Sequence, residues 1–364
     1  MAASEDENGK IGVGIVGTGM QANIHAMGVI GNPNAEIVGL CDNRDGVAEE
    51  FAARYGLDVP TFKDYRELLK VDGLDAVCVV TSNEVHAEIS IAAVEAGKHV
   101  LCEKPMVTAI EDARAMVAAA RKAGVTNMIG YTKRFFKGTR YLHDFLRRED
   151  LGRVFNVRAF YFQSWLSNPN TPAVWRLEKN RTGTGVLGDL AAHVTDLTQH
   201  LVGDEIVRVT GMMKTFVNER PSLSDPGKKQ TIDVDDGVMF GAEFKNGALG
   251  VIQASRNATG RPDHWRVEID MEKGSVIYDS VDGRVRLVST EGPARSAGWV
   301  DLPISPYRYG QEDNPNQKEL DHFIECIQSG QTPSPDFEIG LRTERVLDAV
   351  ERSHNTGRQV EIEG

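Results

Sequence analysis

Residues 11–22 read Ile-Gly-Val-Gly-Ile-Val-Gly-Thr-Gly-Met-Gln-Ala, an apolar run that leads directly into the pattern Gly-x-Gly-x-x-Ala. The run is typical of a buried strand, and a helical pattern begins immediately after it. In such a loop Gly17 permits a tight turn, Gly19 lets the backbone approach a diphosphate, and Ala22 lets the helix pack closely on the strand. This stretch therefore predicts a dinucleotide-binding βα unit.

The chain from Ile11 to about Gly130 alternates short apolar runs with amphipathic stretches. This alternation predicts βαβ units, and hence a doubly wound parallel sheet with helices on both faces. Helices are expected at 47–55, 86–96 and 110–123. A glycine follows each of them, where a left-handed residue ends a helix: Gly56, Gly97 and Gly124.

The pattern changes after Tyr131. A helix at 138–148 and a half-buried strand at 153–163 precede a loop at 165–180 that is rich in Trp, Pro and Asn. From 208 to 302 strand signals dominate, and the hairpin turns expected there are Asn246-Gly247 and Asp282-Gly283. The second part is therefore predicted to be an α+β domain with an open, mostly antiparallel sheet.

The division predicted for the whole chain is a flexible tail at 1–10, a Rossmann domain at 11–132, and a substrate-binding and oligomerisation domain at 133–364. Two C-terminal helices, at 317–329 and 339–353, are expected to pack near the domain junction. The segment 219–231 is polar and is expected to be a mobile loop.

Composition limits the classes of function. The chain has 364 residues, 41% of them hydrophobic and 26% charged, and carries a formal net charge of −12. A field of that sign repels phosphate backbones and anionic membranes, so nucleic acid and membrane surfaces are not expected partners. The polar start and the lack of a long apolar run predict a cytoplasmic protein. The four cysteines form no C-x-x-C pair, which favours buried, reduced thiols over a metal or redox site.

Asp42 lies 25 residues after Gly17, at the end of the predicted second strand. An acidic side chain there accepts hydrogen bonds from the adenosine ribose hydroxyls and repels a 2′-phosphate, which favours NAD over NADP. Two alternatives remain: Asp42 caps the next helix, or Arg44 pairs with the 2′-phosphate of NADP.

The remaining cofactor contacts are expected where strands end, because ligands of open α/β sheets bind beyond the carboxyl ends of the strands. For His86, at a helix start, a structural role is as plausible as a ligand contact. The predicted cofactor-binding residues are Gly17, Gly19, Met20, Gln21, Asp42, Asn43, Thr81, Ser82, Asn83, His86, Glu103, Lys104 and Arg176.

Hydride transfer from an alcohol needs a group that takes the hydroxyl proton and donors that fix the oxygen. Lys104 ends a buried strand and precedes Pro105, which holds it in extended geometry, so it is either a proton relay or an ordinary surface lysine. Asp189 and His193 are spaced i, i+4, on one face of a predicted helix. His193 then acts as general base, with Asp189 orienting it or binding substrate; the alternative is a structural histidine.

A metal site is not favoured by this pattern. Asp189, His193, Asp196 and His200 supply ligand atoms, but the four do not share a single helical face.

Taken together, G-T-G-M-Q-A, CD, CEKP, GTGVLGDLAAHVTDL and the ending LDAVERSHNTGRQVEI resemble the Gfo/Idh/MocA oxidoreductases, the family of glucose-fructose oxidoreductase and inositol 2-dehydrogenase. The resemblance covers nearly the whole chain. It implies that Lys104, Asp189 and His193 surround the reacting hydroxyl, with His193 as the base and Lys104 positioning the hydroxyl. It departs from the family at Ser82-Asn83, where a proline is common, and at Thr184, where glycine is common.

The resemblance also implies further contacts. Trp175-Arg176 is similar to a pair that touches the cofactor in some members. Family members usually associate through the exposed face of the second sheet, which implies a dimer or tetramer. The implied substrate-binding residues are Tyr131, Arg134, Gln163, Trp165, Asp189 and His193.

Three functions follow from the sequence. The first is an NAD-dependent oxidoreductase acting on a ring hydroxyl of a sugar, glycoside or inositol. The second is a glycosidase of the same fold that uses NAD for transient oxidation, for example at C3, and elimination, with no net change in NADH absorbance. The third is a non-catalytic NAD(P)-binding sensor, which would not need Lys104 together with His193.

Overall fold

A computed structural model of the protein describes residues 9–225, 227–291, 295–305, 308 and 313–363. The chain divides into two compact units. The first comprises the chain up to Val107, Glu111–Gly130 and Asn314–Gly340. The second comprises Thr108–Ile110, Tyr131–Asp313 and the chain from Leu341 onward. Most of the tail predicted at 1–10 lies outside the described residues.

The first unit contains a sheet of six strands: β1 (Ile11–Val16), β2 (Ala35–Cys41), β3 (Thr61–Phe62), β4 (Ala76–Val79), β5 (His99–Cys102) and β6 (Asn127–Ile129). Their order is β3-β2-β1-β4-β5-β6, and every pair is parallel. The strand order reverses beside β1, so the carboxyl ends of β1 and β4 flank the crevice in which such sheets bind ligands. The predicted doubly wound parallel sheet is confirmed.

Five helices connect these strands: α1 (Ala22–Gly31), α2 (Val47–Tyr55), α3 (Tyr65–Leu68), α4 (His86–Glu95) and α5 (Ile110–Ala123). The three helix ends predicted from glycine are confirmed, since φ is +64° at Gly56, +75° at Gly97 and +66° at Gly124. Only glycine adopts this conformation at little cost, so these residues stop the helices and turn the chain toward the next strand.

The second unit is built on a sheet of nine strands. They are β7 (Val154–Phe162), β8 (Ile206–Lys214), β11 (Gly237–Phe244), β12 (Leu249–Ser255), β13 (His264–Met271), β14 (Gly274–Asp279), β15 (Arg284–Ser289), β16 (Val300–Asp301) and β17 (Val360–Glu361). The order is β16-β15-β14-β13-β7-β12-β11-β8-β17, and only the β7 and β12 pair is parallel. Both predicted hairpin turns are present, at Gly247 and Gly283. The predicted open, mostly antiparallel sheet is confirmed.

The segment 219–231 departs from the prediction of a simple loop. Its ends pair as a two-stranded ladder, β9 (Glu219–Pro221) with β10 (Lys229–Thr231). The polar composition concealed this ladder because its strands are only three residues long and lie outside the main sheet.

Within the part of the chain that the structure describes, further helices are α6 (Lys137–Arg148), α7 (Lys179–Thr182), α8 (Ala192–Val202), α9 (Pro315–Ser329) and α10 (Phe337–Thr356). The sequence placed α9 in the second domain, whereas it belongs to the first unit. The reason is close packing on α1: Leu320 lies against Gly28, and Gln317 donates a 2.9 Å hydrogen bond to the Gly28 carbonyl. A Cβ at Gly28 would lie 3.1 Å from the Leu320 side chain.

The four cysteines are buried and form no disulfide with one another. Three of them lie in strands β2, β4 and β5 as predicted, namely Cys41, Cys78 and Cys102, and these three are at most 2% exposed. Among the described residues, no group of three or more His, Cys, Asp or Glu side chains is arranged to hold a metal. No helix in the described ranges combines the length and apolar character that crossing a membrane requires.

Two imidazoles stack between α6 and α8. The ring centroids of His143 and His200 lie 4.0 Å apart, and the ring planes differ by 1°. Burial lowers the pKa of both rings, and the cations of Arg134 and Arg147 lower that of His200 further. The folded protein therefore keeps His200 neutral under conditions in which the unfolded chain takes up a proton.

This pair predicts how stability responds to acid. Because the pKa of His200 is lower in the folded than in the unfolded state, the free energy of unfolding decreases as the pH falls below about 6.5. A ring that stays neutral on folding accounts for about 2 kcal/mol of that loss between pH 7 and 5. In His200→Gln we expect the loss between these pH values, measured by urea unfolding, to be smaller by about that amount. His354→Gln, at an exposed position, is the control, and an unchanged pH dependence in His200→Gln would contradict the prediction.

Candidate active site

The glycine loop of the first unit fits a dinucleotide diphosphate. Gly17 has φ of +90°, and a Cβ there would lie 2.6 Å from the Val80 carbonyl oxygen, so only glycine is accommodated. A Cβ at Gly19 would meet no atom of the described chain within 4 Å, which leaves open space beside the backbone. Helix α1 begins at Ala22, so its N-terminal N–H groups and dipole favour an anion at this position.

Asp42 follows β2 and is fixed beside this loop. One carboxylate oxygen, Oδ2, accepts hydrogen bonds from the Thr18 N–H at 2.9 Å and the Thr18 hydroxyl at 3.0 Å. Arg44 donates to both carboxylate oxygens, at 2.9 and 2.8 Å. Burial opposes ionisation, but these hydrogen bonds outweigh it and lower the pKa of Asp42 to about 2. The carboxylate is therefore ionised and oriented, and Arg44 contacts it in this structure.

His86 is tied to two strand ends of the first unit. Its Nδ1 lies 2.9 Å from the Pro105 carbonyl oxygen and its Nε2 3.3 Å from the Thr81 carbonyl oxygen. The residue is 1% exposed, and burial lowers the pKa of its ring. A neutral imidazole has one N–H and donates to one of these carbonyl oxygens, of which that of Pro105 is the closer. This buried contact favours the structural role over the cofactor contact. His86 links the segments that follow β4 and β5.

Glu103 is also turned inward. Its Oε1 lies 2.9 Å from His25 Nε2, on α1, and its Oε2 accepts a 3.2 Å hydrogen bond from the Lys104 N–H. Burial penalises both charges, but their interaction outweighs it, lowering the pKa of Glu103 and, together with Cys78, raising that of His25. This buried ion pair connects the helix of the glycine loop to the backbone of Lys104. The structure therefore gives Glu103 a positioning role.

Lys104 follows β5 and is joined to Pro105 by a cis peptide bond. It is partly buried, and the strand order places the segment that carries it two strands from β1 along the same sheet edge. Thr81 and Ser82 follow β4, the strand that lies between β1 and β5 in the sheet. Ser82 donates a hydrogen bond to Glu84 at the start of a 3₁₀ turn (Asn83–Val85), a segment where the family pattern commonly has proline.

In the second unit, Asp235 holds the turn that leads into α8. Its carboxylate accepts hydrogen bonds from the Gly185 N–H at 2.6 Å and the Leu187 N–H at 2.8 Å. A Cβ at Gly185 would lie 2.0 Å from the Asp235 carbonyl oxygen, so the close approach requires glycine. Thr184, a departure from the family pattern, accepts a 2.9 Å hydrogen bond from the Gly188 N–H at its hydroxyl. The turn is thus fixed from both sides.

Asp189 lies in a π-helical turn, Leu187–Ala191, that the sequence did not predict. Regular α-helix begins only at Ala192, so a π-to-α junction separates Asp189 from His193. Such turns occur frequently at functional sites. Arg256, 1% exposed, donates to Asp189 Oδ2 from Nη2 at 2.8 Å and from Nε at 3.2 Å. Asp189 is therefore held in a fixed orientation by the Arg256 guanidinium.

His193 lies in the first turn of α8 and is 7% exposed. Two tyrosine rings flank it: the Tyr131 centroid is 6.2 Å from the imidazole centroid and the Tyr161 centroid is 6.1 Å away. Tyr131, a predicted substrate contact, is fully buried and lies against this ring. An imidazole confined in this way has a fixed orientation, which general base catalysis requires.

Arg134 has a different partner from the one expected. Its guanidinium donates to both oxygens of Asp196, at 2.6 and 2.5 Å, and the two side chains are 6% and 1% exposed. A bidentate pair this deeply buried supports α8 and offers little surface to a substrate, so the structure does not support Arg134 as a substrate contact. Both carboxylate oxygens of Asp196 accept hydrogen bonds from Arg134, whereas Asp189 is bound by Arg256, so the two carboxylates have different partners.

Gln163 and Trp165 lie in one polar network after β7. The Trp165 indole N–H donates to Gln163 Oε1 at 3.0 Å, and Gln163 Nε2 donates to Asp263 at 3.2 Å. Trp165 is 38% exposed, so one part of its ring faces solvent. Trp175 is flanked by two cations, Arg176 and Arg181, with guanidinium carbons 4.5 and 5.3 Å from its ring centroid. The network of Gln163, Trp165 and Asp263 offers an aromatic surface and polar groups, which suits contact with a hydroxylated ring.

Several buried residues were missed from the sequence: His25 in the first unit, and Asp235, Arg256 and Lys133 in the second. The Lys133 ammonium lies 3.8 Å from the Trp265 ring centroid and 4.8 Å from that of Tyr161. His25 could have been found from the sequence, because it is a titratable residue among the apolar residues of α1. The partners of the others are distant in sequence, as with Arg256 and Asp189, 67 residues apart.

Comparison with known proteins gives this geometry a class. The model of the oxidoreductase family with an NAD-binding Rossmann fold matches residues 11–131, and the model of the GFO/IDH/MocA C-terminal domain matches residues 139–277. The chain is therefore an oxidoreductase with an NAD-binding Rossmann domain. It belongs to the GFO/IDH/MocA family, as its sequence motifs indicated.

Individual relatives span nearly the whole chain. Levoglucosan dehydrogenase of Pseudarthrobacter phenanthrenivorans is 31% identical over 94% of this chain and 96% of its own length. Myo-inositol 2-dehydrogenase of Thermotoga maritima is 28% identical over 96% and 98%. A solved structure of levoglucosan dehydrogenase in complex with NADH and L-sorbose matches with a TM-score of 0.91 and 29% identity, covering 98% of this chain and 99% of that one.

These findings confirm NAD as the cofactor class. In the first unit, the open backbone at Gly19, the α1 N-terminus and the oriented Asp42 carboxylate are the features that would hold it. Gly19 and the α1 N-terminus match the diphosphate, and the Asp42 carboxylate matches the ribose hydroxyls.

Proposed function

We propose that the protein transfers hydride between NAD and a ring hydroxyl of a sugar, glycoside or inositol. The observation that carries this proposal is the dinucleotide cradle, formed by Gly17, Gly19 and Asp42 at the ends of β1 and β2. Lys104 follows β5 at the same edge of the sheet. Relatives named for levoglucosan, myo-inositol and scyllo-inositol support a polyhydroxylated ring as substrate.

Each candidate residue has a defined task. His193 takes the hydroxyl proton as general base, and Lys104 donates a hydrogen bond that positions the hydroxyl oxygen. Asp189, held by Arg256, orients the reacting groups. Bound NAD supplies the hydride acceptor, or NADH the donor in the reverse direction. Tyr131 confines His193, while Gln163 and Trp165 contact the sugar ring.

The remaining cofactor contacts are proposed on the same basis. Asp42 accepts from the ribose hydroxyls and Gly17 and Gly19 admit the diphosphate. The other residues assigned to the cofactor are Met20, Gln21, Asn43, Thr81, Ser82, Asn83 and Arg176.

The proposal is tested by following NADH absorbance while the protein is offered inositols, free hexoses and glycosides with NAD. Stoichiometric NADH formation with one of these classes is expected. Release of an aglycone from a glycoside without net NADH formation would instead establish the glycosidase, and NAD binding without turnover of any of them would favour a sensor.

The cofactor preference depends on Asp42. In Asp42→Ala we expect the ratio of kcat/KM with NAD to that with NADP to fall by at least about tenfold, since the variant loses a ribose acceptor and frees Arg44 to meet a 2′-phosphate. The matched control is Asp45→Ala, an exposed carboxylate on the same loop that pairs with Lys63. An unchanged ratio in Asp42→Ala would mean that the carboxylate only organises the turn at Thr18.

We also propose that copies of the chain associate through the open face of the nine-stranded sheet, as a dimer or tetramer. Alternate residues of β8, β11 and β12 expose apolar side chains on one face: Met212, Met239, Leu249 and Val251. Their exposed fractions run from 41% to 62%, which is unusual for side chains of this size on a monomer surface.

A charge placed in this face should separate the subunits. We expect Val251→Glu to lower the mass measured by light scattering to that of a monomer, because burying an unpaired carboxylate in an apolar interface is costly. Val281→Glu, at an exposed position in the turn between β14 and β15, should leave the mass unchanged. Equal masses for the wild type and Val251→Glu would reject this surface.

A further inference from the structure

The loop at 165–173 is held from within by a buried arginine. Arg220, in β9, has an exposed fraction of 0%. Its Nη2 donates to the Leu166 carbonyl oxygen at 2.7 Å and its Nη1 to the Asn168 carbonyl oxygen at 2.9 Å. The Thr171 carbonyl oxygen lies 3.5 Å from the same Nη1. One guanidinium thus contacts three backbone oxygens within the six residues 166–171.

The carboxylate of Asp236 offsets part of the cost of burying Arg220. Burial lowers the pKa of Arg220; Asp236, which is also fully buried, opposes that shift, and the cation of Arg256 adds to it. Asp236 is itself fixed, because its Oδ2 accepts hydrogen bonds from the N–H groups of Phe216 and Val217 at 2.9 and 3.0 Å. The arginine therefore remains charged inside the second unit and donates strongly to the loop carbonyls.

Two further hydrogen bonds hold the same loop, one to the β9–β10 segment and one from the residue Asn257 after β12. The Ala173 N–H donates to the Pro221 carbonyl oxygen at 2.8 Å, and Asn257 Nδ2 donates to the Leu166 carbonyl oxygen at 3.1 Å. Beneath the loop lies an apolar cluster of Leu166, Ala173, Leu177, Ile232 and Val234. The β9–β10 segment, which the sequence assigned to a mobile loop, is thus the base on which 165–173 rests.

The residue type is informative. Packing alone would be served by an apolar side chain, and burying a cation is costly. In Arg220, Nη1 and Nη2 donate to the loop carbonyls, while Nε has no hydrogen-bond partner among the described residues. A guanidinium offers five N–H donors in a rigid plane, so it can fix several carbonyls at set positions, which a lysine cannot. The loop fixed in this way begins at Trp165, whose indole bonds to Gln163.

We propose that Arg220 is a positioning residue for substrate selection: by binding the carbonyls of Leu166 and Asn168, it sets the shape of the 165–173 loop and hence the place of Trp165. This inference rests on the proposed function, in which Trp165 and Gln163 contact the sugar ring. It divides into two parts, the fixing of the loop and its effect on selectivity, and each part has its own measurement.

The fixing of the loop is tested by hydrogen exchange on the full-length protein, without substrate or turnover. In Arg220→Ala we expect amide exchange in peptides covering 165–173 to rise at least about tenfold, with a smaller rise in Arg220→Lys. Lys229→Ala, which removes an exposed cation from the neighbouring strand β10, should leave these peptides unchanged. Exchange that is unchanged in the loop, or that rises equally throughout the second unit, would overturn the inference.

The effect on selectivity is tested by kinetics with the two best substrates found in the NADH assay. In Arg220→Lys we expect KM to rise by about tenfold, kcat to change little, and the ratio of kcat/KM between the two substrates to move toward one. If Arg220→Ala does not fold, Arg220→Lys serves both measurements. A loosened loop with unchanged selectivity would overturn the second part. The absence of turnover by the wild type would count against the proposed function, and hydrogen exchange would still decide the first part.

Discussion

Replacing His193 or Lys104 with alanine is expected to lower kcat for hydride transfer by about 10² to 10⁴-fold, the range that a positioned acid or base contributes. NAD binding should persist in both variants, because the dinucleotide cradle is built from Gly17, Gly19 and Asp42. The measurement is single-turnover NADH formation together with NAD titration of each variant.

The double variant adds a sharper criterion. If both side chains act on one hydroxyl, their effects are not additive, and the double variant should lose far less than the product of the single losses. His354→Ala and Lys122→Ala, at exposed positions, are matched controls. Near-normal kcat in both single variants would refute the assignment of these residues.

Arg256→Met is expected to lower the free energy of unfolding by about 3 to 5 kcal/mol, because it removes the cation that neutralises Asp189 inside the second unit. It also frees the carboxylate in the π turn, so kcat should fall as well. Urea unfolding and NADH formation measure the two effects separately.

Arg256→Lys keeps the charge with fewer donors, and should recover part of both losses. Arg261→Met, an exposed arginine on the same connection between β12 and β13, should change the free energy of unfolding by less than about 1 kcal/mol. If Arg256→Met were no less stable than this control, the pair with Asp189 would be of little structural consequence.

The first unit was largely predictable from sequence because its signals are local. The apolar runs, the glycines at helix ends and the spacing from Gly17 to Asp42 each reflect neighbours in the chain. α9 was the exception, since its packing on α1 joins residues nearly 300 positions apart: Gln317 and Gly28 differ by 289. No local pattern encodes that contact.

The candidate site was predicted by residue type but not by partner. The D-x-x-x-H spacing marked Asp189 and His193, yet nothing in it indicated the π turn or the distant Arg256. Arg134 was predicted to be a substrate contact, whereas the structure pairs it with Asp196, 62 residues away. Charged side chains find partners through the tertiary fold, so their roles follow from the assembled structure.

The buried thiols of β2, β4 and β5 make the unfolding of the first unit measurable by thiol labelling. Cys41, Cys78 and Cys102 lie within the sheet, and burial raises the pKa of Cys41 to about 12, so the reactive thiolate is suppressed as well as shielded. A thiol-specific dye can reach them only when the sheet opens. The labelling rate therefore reports how often this nucleotide-binding half unfolds, and its slowing by added NAD measures cofactor affinity without any substrate.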